Sequence, residues 1–190
     1  LFARLRAKHG VYSITGNHDY GDYVQWENPA DKAANFQRFV QLHARMGWTL
    51  LRNERVRLDV DGAPLELIGV ENWSANGRFS RYGDLAKAAF GADPNAPQIL
   101  LSHDPSHWKA EVLPKYPHIG LQLAGHTHGF QFGLEIGNWR WSPGQYVYRE
   151  WAGLYEEAKR FLYVNRGFGF TFYPGRVGMR PEITLVELGG

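Results

Sequence analysis

The chain has 190 residues, of which 44% are hydrophobic and 21% charged, a composition that excludes a disordered protein and fits one globular domain. Lys and Arg number 21 and Asp and Glu 19, so the net charge of +2 gives no reason to expect nucleic acid as a partner. The absence of cysteine excludes disulfide scaffolds and cysteine-based zinc sites, and no apolar run in the sequence is long enough to span a bilayer.

The first segment, residues 1–10, is predicted to be the end of a helix. Apolar residues open it, basic residues crowd its last turn, and Gly10 suits a left-handed C-terminal cap. Because a domain rarely begins halfway along a helix, we expect the chain to be the C-terminal part of a longer protein. Residues 11–15 form a β-branched and aromatic run that predicts a strand, ended by Gly16.

A long helix is predicted from Asn28 to about Met46, since Pro29 suits its first position and Gly47 its end. Asp61-Gly62 predicts a hairpin turn. Strands are predicted over residues 49–53, 56–60, 65–70, 98–101, 119–124, 132–136, 161–165 and 183–188.

Short helices are predicted at residues 84–90 and 108–113, and Pro114 is expected to stop the second. Residues 138–160 are aromatic and are interpreted as loop with at most one helical turn. Their aromatic side chains suit either packing or a surface that docks on a membrane or an apolar substrate. Strands with intervening helices predict an α/β layered domain.

Three polar clusters each directly follow a predicted strand, and they are Gly16-Asn17-His18-Asp19, Ser102-His103-Asp104 and Gly125-His126-Thr127-His128. Ligands of open α/β sheets bind outside the carboxyl ends of the strands, so these clusters can converge. Imidazoles, a carboxamide and carboxylates form a mixed nitrogen and oxygen set that suits Mn, Fe, Zn or Co. The flanking glycines of the third cluster permit a bend that aims its two histidines at different metals.

These three motifs, in this order, resemble those of the calcineurin-like metallophosphoesterase family. The tail at residues 163–169 and 180–183 resembles the bacterial, often membrane-linked branch of that family. The resemblance covers nearly the whole chain. It implies a two-sheet α-β-β-α sandwich with a dinuclear metal centre that hydrolyses phosphoester bonds, with phosphodiesters as the expected substrates.

The resemblance also assigns the site residues. Asn17, His103 and His126 match the ligands of one divalent metal ion, and His128 matches a ligand of the other. A metal-bound hydroxide would attack the phosphorus. His18 matches the acid that contacts the phosphate and assists the leaving group, and Asp19 matches the carboxylate that orients that histidine.

The sequence departs from the family pattern at its start. The pattern has an Asp-x-His and a Gly-Asp upstream of Gly16, but the first 16 residues contain no Asp or Glu. We therefore expect residues 1–190 to be an N-terminally truncated phosphoesterase domain that alone binds metal poorly and hydrolyses little. A second departure is Phe130, where relatives have a small residue, and it is expected to narrow the pocket.

The resemblance further suggests a lipid-linked or nucleotide-linked phosphoester and membrane association through a segment before the chain, with the cytoplasm or periplasm as alternatives. A protein phosphatase, a nuclease, or a catalytically inactive binding module of the same fold are the rival functions, and the near-neutral charge argues against a nuclease. Asp104 is interpreted as a helix cap before Pro105 or as a neighbour of the metal ligands, with capping favoured. His107, Arg166 and Arg176 are left outside the site.

Overall fold

A large mixed sheet dominates the computed structural model, which describes residues 2–137, 139–171 and 173–189. Its strand order is β3-β4-β5-β6-β10-β9. The strands are β3 Glu54–Val60, β4 Ala63–Gly69, β5 Gln98–Leu101, β6 Ile119–Ala124, β9 Gly153–Glu157 and β10 Arg160–Val164. The four central strands are parallel, and an antiparallel partner lies at each edge. The predicted α/β class is confirmed, and the parallel strands end at one common edge.

Two small sheets complete the described part of the chain. β1 (Tyr12–Ser13) and β2 (Thr49–Leu50) are parallel, and β7 (Leu134–Ile136) and β8 (Trp139–Trp141) form a hairpin. The β1–β2 sheet lies directly against β4. A Cβ added at Gly69 would come 2.4 Å from the Leu51 side chain and 3.0 Å from that of Ile14. A glycine at this position therefore lets the two layers approach closely.

Helix α1, Pro29–Met46, has the predicted bounds because its ends are fixed by local contacts. The Asn28 side chain accepts a hydrogen bond of 2.6 Å from the Ala30 amide, and proline occupies the first helical position. Gly47 ends the helix with a φ of 75°, a left-handed conformation that costs glycine little.

The hydrophobic core lies between the large sheet and the helical segments that follow β4 and β5. These segments are α2, Leu85–Ala88, and a π-helical turn, Trp108–Val112, which continues as α3, Leu113–Lys115. The buried core residues are Ile68, Val70, Leu85, Ala88, Leu100, Trp108, Val112, Ile119, Ala124, Leu162 and Val164. Burial of each large side chain contributes roughly 1.5–3 kcal/mol, so this layer fixes the ends of β5 and β6, which carry two of the three polar clusters.

The predicted helix end at residues 1–10 is wrong. Phe2–Arg4 forms one 3-10 turn and residues 5–10 are not helical, while Leu1 lies outside the described residues. None of the residues in this turn is buried, although the Phe2 ring lies near those of Trp48 and Phe168, so little packing stabilises a longer helix.

The predicted strand at residues 183–188 is also wrong, because no strand forms there in the part of the chain that the structure describes. Ile183 is 88% exposed and Leu185 83% exposed. The apolar side chains of this alternating pattern therefore do not pack on a sheet. Conversely, residues 138–160, predicted as loop with at most one helical turn, contain β8, β9 and a 3-10 turn at Pro143–Tyr146. The two strands were not predicted. Asn138 lies outside the described residues.

Pro114 does not stop the second short helix, which ends after Lys115. The proline lies in the first turn of α3, where its missing N–H is not needed. Among the described residues, no helix combines the length and apolar character needed to cross a bilayer.

Candidate metal centre

Three donor atoms from three loops form a triangle at the common edge of the sheets. Asn17 Oδ1 lies 3.0 Å from His103 Nε2 and 3.1 Å from His126 Nδ1, and the two ring nitrogens are 3.2 Å apart. We call this set the donor triangle. Metal–nitrogen and metal–oxygen bonds of about 2.1 Å place neighbouring ligand atoms about 3 Å apart. The donor triangle therefore fits a divalent metal ion in spacing and in atom type.

Each member of the donor triangle is positioned by the end of a strand. Asn17 follows β1, His103 follows β5, and His126 follows β6. The Gly125 amide donates a 2.9 Å hydrogen bond to the His103 carbonyl and joins two of the loops. A Cβ at Gly16 would lie 2.8 Å from ring atoms of His103. The glycine before Asn17 is thus required by the imidazole packed on it.

The imidazoles are neutral near pH 7 because they are buried. Burial, together with the neighbouring His126 and His128, lowers the pKa of His103 to about 3. Burial also lowers the pKa of His126, although Asp104 opposes this effect, and it lowers the pKa of His128 beside Arg176. Neutral imidazole is the form that binds metal ions.

His128 lies beside the donor triangle but not in it. Together with His18 it lines cavities of about 340 and 370 Å³ at the site. Its Nδ1 atom is buried and has no hydrogen-bond partner among the described residues, as expected for an atom that binds something else. No group of three or more His, Asp or Glu side chains within residues 2–137, 139–171 and 173–189 is placed to hold an ion, and the donor triangle itself relies on the Asn17 amide as its third donor.

His18 and Asp19 have different surroundings despite being adjacent. The His18 ring faces the cavities and packs on Tyr23, with ring centroids 4.8 Å apart. The Asp19 carboxylate instead accepts a 2.7 Å hydrogen bond from the Gly16 amide, and burial raises the pKa of this carboxyl. The contact holds the turn, and no hydrogen bond in the described part of the chain joins Asp19 to His18. No direct hydrogen bond to His18 therefore supports the predicted orienting role of Asp19.

The loop after β6 adopts an unusual backbone. His126, His128, Phe130 and Gln131 all have positive φ, between 53° and 65°, a region that disfavours residues with a Cβ. Arg176, predicted outside the site, is half-buried and its guanidinium donates to the carbonyls of His128, Arg166 and Gly169. It holds this loop rather than facing a phosphate.

The 340 Å³ cavity beside the donor triangle has a largely apolar wall. This wall consists of Phe79, Phe130, Val147, Tyr148 and Tyr173, and Arg78 is the permanently charged side chain at its side. The Phe130 ring packs on Gly144, where a Cβ would come 2.4 Å from it. Phe130 thus occupies part of the cavity, where a smaller residue would leave more room.

Sequence reasoning missed two residues that touch the donor triangle: Tyr23, whose hydroxyl accepts a hydrogen bond from Asn17, and Tyr148. The Tyr148 hydroxyl lies 2.9 Å from His126 Nε2 and 3.5 Å from Asp104 Oδ2. Burial and Asp104 raise the pKa of Tyr148 above its usual range. Its only signal in the sequence was its place in the aromatic segment, which did not distinguish it from its neighbours.

A donor set at the strand ends of a mixed sheet is typical of α/β metalloproteins. The calcineurin-like phosphoesterase family matches residues 1–130, and the chain belongs to this family, whose members generally use divalent metal ions.

A bovine (Bos taurus) transmembrane protein with a metallophosphoesterase domain is 36% identical over 197 residues, which cover 97% of this chain and 40% of that protein. Metallophosphoesterase YkuE of Bacillus subtilis (strain 168) is 33% identical over 195 residues, with 99% and 59% covered.

A more distant relative is LpxG of Chlamydia muridarum, a UDP-2,3-diacylglucosamine pyrophosphatase. It is 27% identical over 176 residues, which cover 86% of this chain and 48% of LpxG. The chain thus spans between 40% and 59% of the length of these relatives. No solved structure matches the chain.

Proposed function

We propose that the protein hydrolyses phosphoester bonds in a metal-dependent reaction and that phosphodiesters are its substrates. Family membership supports phosphoester hydrolysis as the general activity. The observation that carries the proposal is the donor triangle, in which Asn17, His103 and His126 bring three neutral donors within 3.2 Å of one another. We further propose that His128 serves a second divalent ion.

The residues of the donor triangle would hold the metal. A divalent ion bound there supplies positive charge for the phosphoryl oxygens and lowers the pKa of coordinated water. Asn17 donates through its Nδ2 to the Tyr23 hydroxyl over 2.8 Å. That bond fixes the orientation of the amide and keeps its oxygen turned towards the two imidazoles.

His18 is the proposed general acid. It lines both cavities next to the donor triangle without belonging to it, so its ring can reach a bound phosphate. An imidazole within reach of the leaving group can protonate the departing alkoxide. Asp19 supports this role through the turn that it closes on Gly16.

The apolar wall of the 340 Å³ cavity supports a substrate with a large apolar or aromatic group beside the phosphate. A lipid-linked or nucleotide-linked phosphoester meets this description, and the name of LpxG gives a substrate that is both. Membrane association is part of the proposal. Ile136, Trp139 and Tyr146 are exposed, and the bovine relative is named a transmembrane protein.

The function is tested by two turnover assays, one with bis(4-nitrophenyl) phosphate and one with 4-nitrophenyl phosphate. Bound metal is first removed with a chelator, and each assay is run with and without added Mn²⁺. In the whole protein we expect metal-stimulated turnover that favours the diester, whereas residues 1–190 alone should hydrolyse little. His126→Ala should abolish both turnover and metal binding. His18→Ala should lower kcat by roughly 100-fold and leave metal binding intact. His118→Ala, at an exposed position outside the site, is the matched control.

Metal-independent turnover, or turnover unchanged by His126→Ala, would contradict the proposal. Tight metal binding without hydrolysis of either ester would favour the inactive binding module instead.

A further inference from the structure

The Tyr148 hydroxyl lies behind the donor triangle, between His126 and Asp104. His126 Nδ1 belongs to the triangle, so Nε2 lies on the far side of the same ring. Nε2 is 2.9 Å from the Tyr148 hydroxyl and 3.6 Å from Asp104 Oδ2, and the hydroxyl is 3.5 Å from that same carboxylate oxygen. The three groups form a short polar chain that begins at a proposed metal ligand.

The direction of these hydrogen bonds follows from the chemistry of each group. A neutral imidazole that offers Nδ1 to a metal carries its proton on Nε2. Nε2–H therefore donates to the Tyr148 oxygen, and the Tyr148 O–H donates to Asp104, because an ionised carboxylate only accepts.

Asp104 is suited to end this chain. It is fully buried, and its Oδ1 accepts a 2.8 Å hydrogen bond from the Ser106 amide. Its Oδ2 faces Tyr148 and His126 instead. Both sequence interpretations of Asp104 therefore hold, since one oxygen caps the following turn and the other faces the neighbour of a metal ligand.

We propose that Tyr148 and Asp104 are positioning residues that fix the tautomer and the orientation of His126 for metal binding through Nδ1. The inference rests on the proposed function. The rings of Phe79 and Tyr148 both meet the His126 ring edge to face, at centroid distances of 4.8 and 5.5 Å. Packing thus limits rotation of the imidazole, and the polar chain selects which nitrogen is protonated.

Metal affinity tests the inference directly. Co²⁺ binding is titrated by its visible absorption in the wild type, Tyr148→Phe, Asp104→Asn and the double variant. Removing a hydrogen-bond partner of a ligand typically weakens metal binding 10–100-fold, so we expect at least a tenfold higher Kd for Tyr148→Phe. Asn keeps an oxygen for the Ser106 cap but offers an amide donor to Tyr148, so Asp104→Asn should have a similar effect.

The double variant distinguishes a series of linked hydrogen bonds from two independent contacts. Groups that act in series are not additive, so the double variant should bind Co²⁺ about as weakly as the worse single variant. Tyr12→Phe is the matched control, because the Tyr12 hydroxyl donates to the His9 carbonyl and touches no member of the donor triangle. Its Kd for Co²⁺ should equal that of the wild type.

The outcomes distinguish the two proposals. Wild-type affinity in Tyr148→Phe overturns the inference and leaves the proposed function intact, and additive effects in the double variant overturn the serial chain. These titrations are made on the whole protein, because residues 1–190 alone are expected to bind metal poorly. No Co²⁺ binding by the whole wild-type protein overturns the proposed function and the inference with it. If Asp104→Asn fails to fold, Tyr148→Phe alone decides, because it removes a single oxygen atom.

Discussion

The two loops that supply imidazoles to the donor triangle are held in different ways. The loop after β5, which carries His103, has two hydrogen bonds within five residues in addition to its long-range bonds from Gly125 and Tyr148. Asp104 accepts from the Ser106 amide at 2.8 Å, and the Ser102 hydroxyl is 2.8 Å from His107 Nδ1. Its own sequence therefore contributes part of the support for its conformation.

The loop after β6, which carries His126 and His128, depends on residues more than 40 positions away. The Gln131 side chain donates to the carbonyls of Tyr173 and Gly175, and Arg176 donates to the His128 carbonyl at 3.1 Å. Each left-handed residue with a Cβ costs about 1 kcal/mol, which these distant bonds must offset. Similar ligand chemistry is thus built once partly from local contacts and once from long-range contacts.

The largest effect is expected where the loop after β5 meets Gly16. In Gly16→Ala the new Cβ would lie 2.8 Å from the His103 ring and displace it from the donor triangle. A displacement of about 1 Å can cost roughly 100-fold in rate, and we expect a loss of that size in metal-stimulated turnover. Gly125→Ala is the control, because its Cβ would meet only Asn165 O at 3.8 Å. Equal losses in both variants would show that His103 is not held by Gly16.

The second effect concerns the stability of the distant contacts. Gln131 is buried, and Gln131→Met leaves the Tyr173 and Gly175 carbonyls and the Thr171 amide without their partner. At about 1–3 kcal/mol for each buried group, the free energy of unfolding should fall by roughly 3 kcal/mol in urea denaturation.

The matched variant for that measurement is Gln122→Met on β6. The Gln122 side chain is also buried, but neither of its amide atoms has a partner among the described residues. An apolar side chain of similar size should therefore raise the free energy of unfolding by about 1 kcal/mol. Destabilisation of similar size by both variants would contradict the distinction between bonded and unbonded buried amides.

The same division between local and long-range contacts explains what the sequence could predict. The bounds of α1 were predictable because Asn28, Pro29 and Gly47 act on their own neighbours. The three polar clusters were predictable because each directly follows an apolar run that predicts a strand, and the structure brings Asn17, His103 and His126 into contact.

What failed depends on partners that are remote in sequence. Residues 183–188 carry a strand-like pattern, but pairing requires a sheet edge beside them. Tyr148 reaches His126 across 22 residues, and no local pattern sets it apart from the other aromatic residues around it. Strand β9 is the exception, because its partner β10 follows across the two-residue turn Ala158-Lys159, which lacks the Asn-Gly type of hairpin signal.

The smallest expected effect is a pH dependence in the C-terminal segment. Burial raises the pKa of Glu182, but hydrogen bonds from Tyr163, Arg166 and Thr184 outweigh it and lower the pKa below the ordinary 4.5. A lowered pKa means that the unfolded chain binds a proton first as the pH falls, so this stabilisation is complete above about pH 4.5 and is lost below it. Glu182→Gln should therefore be less stable than the wild type at pH 7, and the difference in unfolding free energy should shrink towards pH 3. The exposed Glu156→Gln on β9 is the control. A difference that stays constant or grows on acidification would mean that the Glu182 charge does not hold this segment against β10.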